Sequence, residues 1–165
     1  MKKLNLIIIF LTVLFPLLLY NNCSDSTEKQ EIIAFIDNEN NASVMERAII
    51  IQDDWNSLNE NIQTYPRSQL IHDIGLLEQR AGTFYRETSE VIPPKCLRSF
   101  WDKQIEAAKL FYQALSLMYR IKDDPSISQD QVNDLIFESN NIKTSAQREF
   151  EDLCEKNGID IPWYE

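Results

Sequence analysis

The chain predicts an all-α fold, an antiparallel up-down-up-down four-helix bundle, on three observations. Apolar residues recur at alternating steps of three and four along most of its length. Only three glycines occur in 165 residues, too few for the positive-φ turns of a β sandwich or barrel. The segments between periodic runs are about five residues long, and short links set neighbouring helices antiparallel.

The first helical segment is the least regular. Ile32, Ile33, Phe35 and Ile36 are apolar, and Val44, Ala48, Ile51, Trp55, Leu58 and Ile62 step by four and three. Between them Asp37-Asn38-Glu39-Asn40-Asn41 is poor in helix formers. Ser43 with Glu46 makes a capping box available there. The pattern favours one long helix, kinked or broken near 37–43, over a short helix followed by a second.

The other three helices are better marked. Leu70, Ile74, Leu77, Ala81, Phe84, Thr88 and Val91 form a continuous stripe from Ser68 to Val91, with Pro66 at its start. Ile92-Pro93-Pro94 ends it, because a residue before proline is pushed out of the α region. Leu97, Trp101, Ala108, Phe111, Leu115 and Met118 carry the next stripe, from about Pro94 to Lys122. After the turn Asp123-Asp124-Pro125-Ser126, Ser128 and Gln131 form a capping box for the last helix. That helix stops at Asn157-Gly158, a natural C-cap. Gly75, Gly82 and Ser89, spaced by seven, make a narrow strip for close packing by a neighbour.

The N-terminus reads as an address. Lys2 and Lys3 precede the strongly apolar run Leu6–Phe15, then Pro16, three leucines, Tyr20-Asn21-Asn22 and Cys23. A charged start, an apolar centre and a short polar exit mark an export signal. The apolar stretch is short of the roughly 20 residues a membrane span needs. On these residues the segment resembles a bacterial lipoprotein signal, although Asn22 stands where that class carries a small residue. The resemblance implies that Cys23 becomes the first mature residue and bears the lipid, palmitate included. The other reading is an ordinary signal or short anchor with Cys23 a bystander. The divisions are then a signal peptide over 1–22, a polar tether over 23–29, the bundle over 30–158 and a tail over 159–165.

Export sets the redox environment. It makes Cys96 and Cys154 disulfide candidates. They lie at equal distances on either side of Pro125, which brings them to one height in an antiparallel hairpin. Two buried free thiols are the other reading.

Charge narrows the partners. Removing Lys2 and Lys3 from 16 basic residues against 26 acidic ones takes the net charge from −10 to about −12. So acidic a protein repels nucleic acid and anionic head groups. No catalytic residues are assigned. The single histidine, His72, cannot build the paired Glu-x-x-His of a di-iron bundle. The Asp53-Asp54 and Asp123-Asp124 pairs lack the spacing of a calcium loop. No metal and no cofactor are expected.

The sequence thus describes a membrane-anchored extracytoplasmic lipoprotein, periplasmic or at the cell surface. It reads as a non-catalytic binding or structural module, held by its N-terminal lipid and meeting a protein partner. Tyr65 and Arg67 at the distal turn, and Trp163 and Tyr164 in the tail, are the candidate contacts. The tail reads either as a docking strip or as a cover over the open end of the bundle. The alternative function is a small-ligand or haem-binding bundle, with a pocket lined by Trp55, Phe84, Trp101 and Phe111.

Overall fold

A computed structural model describes residues 27–160, and they are all-helical. The described part of helix α1 covers residues 27–36, and α2 covers Glu39–Asn61. Helix α3 is Arg67–Glu90, α4 is Arg98–Arg120 after a 3₁₀ turn at Lys95–Leu97, and α5 is Gln129–Lys156. The signal segment, Cys23 and residues 161–165, with Trp163 and Tyr164, lie outside the described residues.

The favoured single kinked helix at the start does not form; two helices stand there instead. Asn38 takes an extended backbone (φ −69°, ψ 118°) and its side chain accepts from the amides of Asn40 and Asn41. The cap of α2 is therefore Asn38, not Ser43. Asn41 donates its side-chain amide to the Phe35 carbonyl at 2.9 Å, satisfying one of the open carbonyls at the end of α1. Asparagine competes for backbone groups in this way, which favours caps over helix interiors.

Both ends of α5 follow the sequence. Ser128 and Gln131 exchange the two bonds of a capping box. At the far end Gly158 has φ +59°. The Ile159 amide donates to the Cys154 carbonyl at 2.9 Å and the Gly158 amide to Glu155 at 3.0 Å. This is a Schellman end, which needs a left-handed residue at Gly158. The Lys29 ammonium of α1 donates to the Gly158 carbonyl at 2.7 Å, placing positive charge where the helix dipole is negative.

The apolar residues gather in two clusters. One joins Ile32 and Phe35 of α1 to Val44, Leu97, Phe100, Trp101, Ala146, Phe150 and Cys154. The other holds Ile51, Leu58, Leu77, Ala81 and Leu115. Contacts between helices run in opposite order along the chain. Arg47 meets Glu87 while Asp54 meets Arg80. Lys103 meets Glu149 at 2.8 Å, and Ser139 donates to the Ala107 carbonyl at 2.8 Å.

The glycine strip receives two tyrosines that are also seven residues apart. A Cβ on Gly82 would lie 2.9 Å from the Tyr112 ring, and one on Gly75 would lie 3.0 Å from Tyr119. Helices α3 and α4 close onto each other there because no side chain intervenes. Gly82→Leu should therefore destabilise the fold by about 1–3 kcal/mol by overpacking, against a helix-propensity gain of about 1 kcal/mol. Urea unfolding of Gly82→Leu, alone and with Tyr112→Ala, checks this. The loss should shrink when the ring is gone.

Candidate functional site

Among the concavities of the described residues, two lie against the apolar clusters. The first is a cleft of ≈ 210 Å³ of mixed polar and apolar lining near the end of the α2–α3 hairpin. It is lined by Asp54, Ser57, Leu58, Tyr65, Asp73, Leu76, Leu77 and Arg80. The hairpin turn is tied by the Thr64 and Tyr65 amides, which donate to the Asn61 carbonyl. Pro66, extended at φ −56° and ψ 146°, then starts α3. This fixes Tyr65 half-buried over the cleft, while Arg67 stands exposed at the first position of α3. Arg80 and Asp54 form an ion pair across the cleft. Ile62 and Leu76 expose 45% and 41% of their surface at the same end.

The second concavity is a pocket of ≈ 70 Å³ to which all four long helices contribute. Trp55, Phe84, Phe111, Ile51 and three alanines supply its apolar lining. Trp55 and Phe111 meet edge to face, with centroids 5.5 Å apart. Gln52, Gln104, Ser139, Asn140 and Lys143 supply its polar groups. The Lys143 ammonium donates to Gln52 Oε1 at 2.8 Å and so bridges α5 to α2. Lys143 is exposed as a whole residue, yet its ammonium leans in over the pocket. Partial desolvation beside the helices lowers its pKa below the ordinary lysine value.

Three of the four aromatic residues expected to line a pocket do so. Trp101 does not; it belongs to the other apolar cluster. It lies seven residues before Ala108 on the same face of α4, a displacement of ~10 Å along the axis. Sequence reasoning missed Lys143 and Ser139. Their signal was available: Val132, Ile136, Ser139, Lys143, Ala146 and Phe150 step by four and three, so two polar residues sit in an apolar row. His72 is exposed on α3 and is not among the residues of the pocket. The room in the pocket is well below the ~300 Å³ at which ligand sites usually begin, and too small for a haem.

Cys96 and Cys154 carry free thiols in this structure. The Cys96 thiol is turned to α1, where Sγ donates to Glu31 Oε2 at 3.8 Å. Cys154 is buried in the apolar cluster against which Cys96 packs. Burial raises the pKa of both thiols, and Glu31 and Glu28 add to the effect at Cys96. Ile159 of the tail packs on the same cluster. Among the described residues, no group of three or more His, Cys, Asp or Glu side chains could hold a metal ion. None of their helices is long and apolar enough to cross a membrane. Compared with known families, curated proteins and solved structures, the chain finds no match.

Proposed function

We propose that this is an extracytoplasmic lipoprotein, tethered through Cys23, whose up-down-up-down four-helix bundle acts as a non-catalytic binding module. The observation that carries the reading is the separation of its two ends. The described part of α1 starts at residue 27, four positions beyond Cys23. The first turns of α1 bond to the end of α5, through Lys29 to Gly158 and Glu28 to Lys156. The Tyr65 cleft belongs to the opposite end of the long helices, where a partner would approach away from the membrane. The opposed order of contacts between successive helices supports the bundle topology, with α1 as an added segment at the tethered end. An oxidised Cys96–Cys154 pair belongs to the same reading.

Cys23→Ser tests it in the native host. The unaltered protein should be processed to start at Cys23 and enter the detergent phase. The variant should lose both behaviours. Unchanged processing and membrane association would overturn the anchor.

A second reading, a small-ligand bundle, is favoured by the pocket beneath Lys143. Its aromatic lining with a few polar groups is the usual composition of a ligand site.

A further inference from the structure

The pocket between the four long helices combines features that simple core packing does not call for. Its lining is apolar and aromatic, from Trp55, Phe84 and Phe111. Its polar groups are one ammonium, Lys143, the amides of Gln52, Gln104 and Asn140, and the Ser139 hydroxyl, which already donates to the Ala107 carbonyl. The seam between α2 and α5 is bridged there by the single Lys143–Gln52 hydrogen bond. That bond joins an ammonium to a neutral amide. No carboxylate lies among the residues lining the pocket. The inter-helix ion pairs Arg47–Glu87, Arg80–Asp54, Lys103–Glu149 and Lys156–Glu28 each neutralise their cation. Lys143 is thus a partly desolvated cation over an apolar chamber, in a protein with a large excess of carboxylates. A desolvated charge gains most from an opposite charge brought to it.

We propose that this pocket binds a short-chain monocarboxylate, with its carboxylate between Lys143 and the amides of Gln52, Gln104 and Asn140 and its tail against Trp55 and Phe111. The chemistry selects each part of the ligand. One ammonium and the amides of Gln104 and Asn140 match one carboxylate, whose oxygens accept several hydrogen bonds, and Gln52 Nε2 joins them by giving up its bond to Asn56 Oδ1. A dianion such as a phosphate monoester would bring a second charge against one cation and the net negative field of the chain. The ≈ 70 Å³ available limits the tail to a few carbons. Lys143 would exchange the Gln52 carbonyl for the stronger charge-assisted bond, so the bridge closing the seam is also its latch. This inference deepens the small-ligand reading and does not depend on the membrane anchor.

The test uses the full chain in detergent and follows the methyl resonances of Ala48, Ala107 and Ala108 during titration with butyrate or butyramide. Butyrate should shift them and saturate, at least tenfold more tightly than the neutral amide. Lys143→Met should remove that preference and leave the two ligands equivalent. Ala108→Leu, which fills the chamber, should abolish saturation by both. Equal binding of butyrate and butyramide to the unaltered chain would overturn the carboxylate assignment while leaving a small-ligand pocket. Binding of neither would overturn the pocket itself. Butyrate binding unchanged by Lys143→Met, or by Ala108→Leu if the first variant does not fold, would place the ligand elsewhere and overturn the proposal.

Discussion

Trp101→Ala is expected to destabilise the protein by about 3–5 kcal/mol, the range for a buried large aromatic residue. Trp101 is 2% exposed and belongs to α4, yet it holds three helices together. Its ring meets Phe35 of α1 edge to face, with centroids 5.1 Å apart. Its indole Nε1 donates to the Thr88 carbonyl of α3 at 2.9 Å. Thr88, itself buried, spends its hydroxyl on the Phe84 carbonyl at 2.7 Å. The Thr88 carbonyl lies in the last turn of α3, where no helical amide reaches it. Trp101→Phe separates the two contributions. It keeps most of the packing and removes the donor, leaving a buried carbonyl open at a cost of about 1–3 kcal/mol. Urea unfolding followed by circular dichroism measures both variants. A domain stable by about 5–15 kcal/mol loses a large share in the alanine variant. Hydrogen exchange should report the loss first in α1, whose Phe35 ring packs on Trp101. A Trp101→Phe chain as stable as the unaltered one would remove the hydrogen bond from this account.

The same residue shows where sequence reading stops. Its place in an apolar stripe of α4 was legible from spacing alone. The partner was not, because the indole crosses to a backbone carbonyl on another helix, and carbonyls leave no mark in a sequence. Capping was legible at Ser128, where side-chain types at fixed spacing satisfy each other. It was misplaced at Ser43, because Asn38, inside an unpromising polar run, took the cap and split the first helix. For the pocket, Trp55, Phe84 and Phe111 follow from their stripes. Trp101 was wrongly added because a stripe fixes a face, not a height. The amides and Lys143 were overlooked because polar residues at a seam resemble a solvated surface until the facing helix is known. The tyrosines that fill the glycine strip share its seven-residue spacing, a match that becomes evident only once α3 and α4 are laid together.

Exported protein is expected to carry a disulfide between Cys96 and Cys154, and its reduction should remove up to about 4 kcal/mol of stability. That figure is the chain-entropy value for a closed loop of ~59 residues. The helical register supports the pairing. Phe100, four residues after Cys96, stacks on Phe150, four residues before Cys154, with ring centroids 4.7 Å apart. One further turn along both segments brings the cysteines to a common level. Cys154 is buried there, and Cys96 packs on the same cluster. To pair, Cys96 must give up its long contact with Glu31, a thiol–carboxylate bond of 3.8 Å that holds it weakly. The raised pKa of each thiol keeps the reduced pair largely protonated at neutral pH, so oxidation is slow unless an external disulfide accepts the two electrons and two protons. Extracytoplasmic compartments supply such oxidants. Mass spectrometry of unreduced protein from the envelope should therefore find neither thiol alkylatable and a mass lighter by two hydrogens. Urea unfolding with and without reductant should show the stability difference. It should vanish in Cys96→Ser and in Cys154→Ala. Two alkylatable thiols in the exported chain would sink the bond, and would leave Cys96 as a thiol resting on Glu31.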